Sequence, residues 1–120
     1  MLTLLGLKQP ITQRKVLEFA VTGFVSEWFR KRNWAAVTIP FWRIAIILYW
    51  LAPGEAPDPY TRVHEFQHVY QCEGKSWLRC AWEYFKESRK SGYSNNKFEL
   101  EAYQTEENAF QMGLPAWAKE

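Results

Sequence analysis

The chain has 120 residues, of which 48% are hydrophobic, 18% aromatic and 23% charged. This length and composition predict one compact domain and exclude both disorder and two ordinary domains. Fifteen basic and thirteen acidic residues give a net charge of +2, and the basic residues form no long tract. Nucleic acid is therefore not an expected partner. The first residues lack a charged n-region and a small-residue cleavage site, so we expect no signal peptide and a cytoplasmic location.

The first predicted element is an amphipathic helix over residues 12–32. Apolar residues such as Leu17, Phe24 and Trp28 recur there at helical spacing, and charged residues fill the other side. The helix would end in the basic run of residues 30–32, because positive charge favours a helix C-terminus. Binding of phosphate or anionic lipid is the alternative interpretation of this run.

Two strands, forming a hairpin, are predicted within residues 35–49. This segment is rich in Val, Ile, Thr and aromatic residues, and Pro40 marks a break between the strands. Pro40 and Arg43 also interrupt the apolar stretch of residues 34–52, which is too short and too broken for a clean membrane span. We therefore interpret the stretch as core strand and expect that membrane association is unlikely.

Three further helices carry recognisable end signals. Asp58 and Asn96 are good N-caps, and Gly74, Gly92 and Gly113 suit C-terminal stops. Helices are therefore predicted over residues 59–73, 76–92 and 96–112. The fold class is α+β, mostly helical, with a sheet of two or three strands beside the helix of residues 59–73.

The segment HEFQH, His64 to His68, contains the only two histidines of the chain. Their spacing places both imidazoles on one helix face, one turn apart, where both can bind the same Zn²⁺. Glu65 would lie in the neighbouring sector and act as a general base toward a metal-activated water. An ordinary hydrogen-bonded histidine pair is the alternative, but the intervening glutamate and the helix caps favour a metal site.

A zinc site needs at least one more protein ligand, and the last helix offers Glu99 and Glu101. At 100° per residue, Glu99 falls within the apolar arc of that helix and Glu101 lies just past its edge. A carboxylate on a packed face is costly without a compensating cation or hydrogen bonds, so Glu99 is the preferred ligand. Its alternative role is a capping box with Asn96, and Glu101 is the second choice of ligand.

The two cysteines have no assigned chemical role in this interpretation. Cys72 lies one turn beyond His68 and Cys80 on the apolar stripe of the next helix, so both are expected to be small buried apolar groups. A bond between them across the Gly74 turn is compatible with the sequence but not required by it. The seven tryptophans are expected to fill the core of a small domain.

The sequence resembles zincin-like metallopeptidases of the gluzincin type, in which HExxH is followed by a downstream glutamate, and in particular short bacterial and phage proteins of this kind. The resemblance covers residues 36–39 (AVTI), 64–71 (HEFQHVYQ), 92–93 (GY) and 96–103 (NKFELEAY). It implies that His64, His68 and Glu99 bind zinc and that Glu65 is the general base. It also implies an edge strand that holds an extended peptide, a role expected for residues 42–49, and a cytoplasmic or phage-associated setting.

The expected function is that of a zinc metallopeptidase or amide hydrolase acting on a peptide or protein substrate. Tyr93, in the turn before the last helix, is the expected donor to the developing oxyanion. The alternative is a metal-stabilised structural or interaction module with little or no turnover, for example in a phage particle or another larger assembly. A third interpretation, docking through exposed aromatic residues onto a protein or membrane surface, predicts one contiguous Trp and Phe patch.

Overall fold

A computed structural model describes residues 1–32, 34–92 and 95–119. It confirms the α+β class, with four helices and a sheet of four strands where two or three were predicted. The elements in chain order are β1 (Leu2–Leu4), β2 (Lys15–Val21), α1 (Phe24–Lys31), β3 (Ala36–Phe41), β4 (Ile44–Trp50), α2 (Pro59–Gln71), α3 (Trp77–Ser91), α4 (Lys97–Met112) and a 3₁₀ turn (Ala116–Lys119).

The sheet has the strand order β1-β2-β4-β3. β2 and β4 run parallel in the centre, while β1 and β3 pair antiparallel with them at the two edges. β3 and β4 form the predicted hairpin, with Trp42 at positive φ in its two-residue turn. The expectation that residues 42–49 form the edge strand is wrong, because β4 is covered by β2 on one side and β3 on the other.

The predicted helix over residues 12–32 is also wrong, because its first half is β2 and only its second half is helical. An internal strand can be apolar on both faces, so β2 lacks the alternation that identifies a half-buried strand. Its alignment with β4 over the whole length supplies the hydrogen bonds that favour the strand. Gly23, with φ of 110°, then separates β2 from α1.

The main core lies between one face of the sheet and α2. Ala45, Ile47 and Tyr49 of β4 are almost fully buried there, and they share an apolar cluster with Phe66 and Val69 of α2. The Asp58 side chain accepts a hydrogen bond from the Tyr60 amide and so caps α2, as predicted. No helix in the described part of the chain is long and apolar enough to cross a membrane.

A buried ion pair joins α2 to the sheet. Glu18 on β2 accepts hydrogen bonds from Arg62 Nε at 2.9 Å and Arg62 Nη2 at 2.8 Å, and both side chains are almost fully buried. The Tyr49 hydroxyl donates to the same carboxylate at 2.6 Å. Burial, together with the Glu18 charge, raises the pKa of Tyr49 far above its ordinary value, so the phenol stays a neutral donor.

Arg14 fixes the other end of α2. Its guanidinium donates to the Cys72 carbonyl at 2.7 Å, the Lys75 carbonyl at 2.7 Å and the Trp42 carbonyl at 2.9 Å. These bonds satisfy carbonyls at and beyond the C-terminus of α2 and connect that end to the hairpin turn. Both ends of the helix are therefore held against the sheet by buried arginines.

Cys72 and Cys80 form a disulfide, with their Cα atoms 5.5 Å apart. The expectation of two unlinked apolar cysteines is therefore wrong. The bond joins the end of α2 to the first turn of α3, across the Gly74 turn. No residue of α3 is fully buried, so the disulfide replaces part of the apolar packing that would otherwise hold this helix.

The expectation of buried tryptophans is wrong as well. Trp28, Trp34, Trp42 and Trp82 are each about half exposed or more, and Trp50 and Trp77 are partly exposed. The buried core instead uses smaller side chains together with Tyr49 and Phe66. The aromatic surface therefore requires an explanation other than core filling.

We predict that Glu18→Gln destabilises the protein by about 3–5 kcal/mol, because it leaves the Arg62 charge buried without a counterion. Glu27→Gln, on an exposed position of α1, is the matched control and should change stability by less than about 0.5 kcal/mol. Urea unfolding followed by circular dichroism measures both values. Equal stability of the two variants would contradict the role assigned to the ion pair.

Candidate metal centre

The two histidines of α2 converge on one carboxylate oxygen of α4. His64 Nε2 lies 3.0 Å and His68 Nε2 lies 3.3 Å from Glu99 Oε1. Glu99 is only 5% exposed, and its Oε2 accepts a hydrogen bond from the Tyr84 hydroxyl. The structure thus brings together the two histidines and the preferred third ligand.

The other ring nitrogen of each histidine faces an acceptor. His64 Nδ1 lies 3.2 Å from Glu106 Oε1, and His68 Nδ1 lies 2.9 Å from Gln71 Oε1. Gln71 Nε2 donates to the Phe98 carbonyl, and this bond fixes Gln71 Oε1 toward the His68 ring. Histidine ligands of metal sites commonly hold their second nitrogen in this way, which fixes the tautomer and the ring orientation.

This arrangement is compatible with the binding of a divalent metal. With both Nδ1 atoms protonated, the two Nε2 lone pairs and the Glu99 carboxylate point at one another. Three converging acceptors repel unless a proton or a cation lies between them. Two imidazole nitrogens and one carboxylate oxygen are the ligands of a common class of catalytic zinc site.

The charge state of the cluster is compatible with metal binding. Without a metal, Nε2 of each histidine can instead carry the proton and donate a hydrogen bond to Glu99. Burial alone would raise the pKa of Glu99, but these bonds and the one from Tyr84 hold it well below its usual range. Burial would lower the pKa of His68, but its hydrogen bond to Glu99 and the nearby Glu65 charge raise it. Glu99 is therefore an anion, and the cluster attracts a positive charge.

Glu65 lies beside the histidines and faces the edge strand. One oxygen of Glu65 and one nitrogen of each histidine all lie within 4.8 Å of one another. Thr38 Oγ1 on β3 donates to Glu65 Oε1 at 2.7 Å. Burial raises the pKa of Glu65, although the histidines and the Thr38 hydrogen bond act in the opposite direction.

Glu101 has a different role from Glu99. Its Oε1 accepts hydrogen bonds from Gln67 Nε2 at 2.8 Å and Gln71 Nε2 at 3.1 Å, so it connects α4 to the exposed side of α2. The capping box is not formed, because Asn96 caps α4 through the Phe98 amide while Glu99 turns toward the histidines. Tyr93, the predicted oxyanion donor, lies outside the described residues.

Four residues of the site were missed by sequence reasoning: Thr38, Gln71, Tyr84 and Glu106. Gln71 and Glu106 carried a usable signal, since each follows a predicted ligand on the same helix face, three and seven residues later. Tyr84 lies one helical turn after Cys80, on the same apolar stripe, and the sequence assigns it no partner. Thr38 carried no signal, because only the β3 position brings it to Glu65.

A cleft of about 850 Å³ opens over the cluster. It runs from α1 along β3, past His64 and His68, to the start of α3. Most of its lining is apolar or aromatic, including Phe29, Trp34, Trp50, Trp77, Tyr84 and Phe98. The polar side chains of His64, His68, Glu65 and Glu99 are therefore concentrated at one place in an otherwise apolar cleft.

The edge of β3 borders this cleft. The Trp50 amide donates to the Ala35 carbonyl at 3.0 Å, and the register pairs Ala36 with Tyr49. Because hydrogen-bonded pairs alternate along an antiparallel ladder, the backbone groups of Ala36, Thr38 and Pro40 point away from β4. Pro40, which has no N–H, suits such an edge position.

Comparison with protein-family models, curated proteins and solved structures finds no match for this chain. The resemblance to zincin-like metallopeptidases therefore stays a prediction that rests on the residues quoted above.

We predict that Glu99→Gln lowers zinc affinity by more than about 100-fold, because loss of outer-shell partners alone typically costs about 10–100-fold. Glu101→Gln, two residues away and also on α4, is the matched control and should keep the affinity of the unchanged protein. Competition with a chromophoric zinc chelator measures both. Loss of zinc from the Glu101 variant alone would show that the ligand assignment is wrong.

Proposed function

We propose that the protein is a zinc-dependent metallopeptidase or amide hydrolase in which Glu65 is the general base. The observation that carries this proposal is the convergence of both histidine Nε2 atoms on Glu99 Oε1, with both Nδ1 atoms held by acceptors. His64, His68 and Glu99 would hold the ion. When bound, a zinc ion lowers the pKa of a water toward about 7 and polarises a carbonyl oxygen.

Glu65 is well placed to move the proton of the attacking water. Its carboxylate lies between the histidines and β3, so it borders both the ligand cluster and the strand edge. A general base works best when its pKa approaches the working pH, and burial raises the pKa of Glu65 in that direction. Glu65 would accept a proton from the water and return it to the leaving amine, while Thr38 orients the carboxylate.

The edge of β3 would hold the substrate backbone. The outward-pointing N–H and C=O groups of Ala36 and Thr38 can pair with an extended peptide, which would become a fifth strand. Such a peptide passes the Thr38 side chain, which contacts Glu65. The apolar lining of the cleft favours substrates with large apolar side chains near the cleaved bond.

One observation favours the alternative of a structural metal module. The ligands come from α2 and α4, and the Glu65–Thr38 hydrogen bond connects α2 to β3, so both features would also stabilise the fold without turnover. Substitution of Glu65 by the isosteric amide separates the two functions, because the amide can still accept from Thr38 but cannot accept a proton from water.

We predict that Glu65→Gln lowers the rate of peptide cleavage by about 10²–10⁴-fold and leaves zinc bound, since it removes only the base. A quenched fluorescent peptide library measures cleavage, and atomic absorption measures the zinc content. Glu107→Gln, on the exposed side of α4, is the matched control and should retain full activity. Cleavage at the control rate by Glu65→Gln, or no cleavage by the unchanged zinc-loaded protein, would contradict the peptidase proposal.

We also predict that Trp77→Ala lowers kcat/KM by about 10-fold or more for peptides with an aromatic or large aliphatic residue near the cleaved bond. The reason is the loss of apolar contact in the cleft, and a single buried methylene can already change kcat/KM by about 10-fold. Trp82→Ala on the same helix, which does not line the cleft, is the matched control. An equal loss for small polar peptides would show that Trp77 supports the fold and not the specificity.

A further inference from the structure

The face of the sheet opposite α2 is apolar over nearly its whole area. The register places alternate residues of 17–21, 37–41 and 44–50 on this outer face, and all of them are apolar. None of these residues belongs to either buried cluster of the described residues. Ile39 is 44% exposed, and its neighbours on this face are at least partly exposed. Central parallel strands are usually covered on both faces, so this outer face calls for a covering partner.

Helix α1 extends this apolar surface. Phe29 stacks on Trp50 at one end of the outer face, with the ring centroids 4.4 Å apart. Phe24, Val25 and Trp28 of the same helix are exposed. Phe29 also contacts Trp28, so the outer face continues onto α1 through these two rings. We call the outer face together with α1 the outer apolar surface.

The rim of the outer apolar surface is basic. Lys15 begins β2 on this face, Arg43 lies in the hairpin turn, and residues 30–32 end α1. Within residues 1–50 the only acidic residues are Glu18, which is buried against Arg62, and Glu27. Apart from Glu27, the exposed charges that residues 1–50 contribute around the outer apolar surface are therefore positive, and its partner is expected to be negative.

Exposed tryptophans lie on the same rim. Trp42 is 64% exposed in the hairpin turn, and Trp28 on α1 carries the Arg32 guanidinium 3.7 Å above its ring. Tryptophan and arginine around an apolar face are typical of proteins that lie at the interface between lipid headgroups and acyl chains. Basic residues beside such a face are attracted to anionic lipid.

We propose that the outer apolar surface docks onto an anionic membrane surface, with the sheet face and α1 against the lipid and the basic rim among the headgroups. This departs from the expectation that membrane association is unlikely. It takes up two alternatives from the sequence, lipid binding by residues 30–32 and docking of exposed aromatic residues onto a protein or membrane surface. Because β3 borders both the outer apolar surface and the cleft, docking would hold the cleft at the bilayer surface. The proposal does not depend on metal binding.

A second copy of this chain is a weaker candidate for the partner. The sheet part of the outer apolar surface has four strands about 4.8 Å apart, each with about six residues that rise about 3.3 Å per residue. Its flat area is therefore roughly 400 Å². A standard protein interface buries about 800 Å² per partner, roughly twice this face. Face-to-face pairing would also bring two basic rims together, which is unfavourable.

The test is co-sedimentation of the full chain with phosphatidylcholine vesicles, with and without phosphatidylglycerol. We expect binding to the anionic vesicles, weakened by salt, and little binding to the neutral ones. Arg30→Glu with Lys31→Glu should reduce that binding by at least about 25-fold, since each basic residue near the surface contributes about fivefold. Leu2 and Leu4 of β1 are exposed and pair with Val21 and Phe19, so the register places them on the same outer face. Leu2→Glu with Leu4→Glu should therefore also reduce binding strongly.

Matched controls lie on the helical side of the molecule. Lys86→Glu with Lys90→Glu on α3 makes the same change of charge, and Leu100→Glu on α4 alters an exposed leucine, so both should bind like the unchanged protein. Circular dichroism checks that every variant is folded. Glu99→Gln should also keep full vesicle binding, which separates this proposal from the metal site.

Three results would overturn the proposal. The first is no preference for anionic vesicles, and the second is an equal loss of binding in the control variants. The third is a dimer in sedimentation velocity that Leu2→Glu with Leu4→Glu dissociates, without vesicle binding by the unchanged protein. That result would assign the outer apolar surface to a second copy.

Discussion

The buried ion pair between Glu18 and Arg62 determines which way α2 faces, and the rest of the candidate site depends on that orientation. Residues of a helix advance by about 100° each, so His64 lies about 200° around the helix from Arg62. With Arg62 and Phe66 against the sheet, both histidines must face away from it, toward α4. Glu65 falls between these directions and reaches β3. This one buried contact thus sets the rotation of α2, and with it the directions of the candidate ligands and of Glu65.

The far wall of the cleft is held mainly by polar and covalent contacts. α3 has no fully buried residue, but the disulfide joins its first turn to α2, and Asn96 Nδ2 donates to the Tyr84 carbonyl and the Ser88 hydroxyl. Tyr84 in turn donates to Glu99. The Glu99 carboxylate therefore connects α3 to the histidines, so that the wall of the cleft and the candidate metal site would form together.

Much of the site followed from local signals, because His64, Glu65 and His68 form one short motif and both ligand helices have clear caps. Asp58 and Asn96 cap α2 and α4 as predicted, and the HExxH spacing placed His64 and His68 on one face. The choice of Glu99 over Glu101 came from helical phase and agrees with the hydrogen bonds. Thr38 and Tyr84 escaped prediction because neither carries a metal-ligand signal, and only the tertiary structure brings them to Glu65 and Glu99.

The sequence by itself determined the helices that carry the candidate ligands, the hairpin and the α+β class, since caps, turn residues and apolar spacing act over a few residues. Only the tertiary structure decided that residues 15–21 are a strand, that β3 and not β4 is the edge, and that Cys72 bonds to Cys80. It also decided that Trp28, Trp34, Trp42 and Trp82 lie on the surface. These outcomes depend on pairing between distant segments, and the free energy of such pairing is absent from any local pattern.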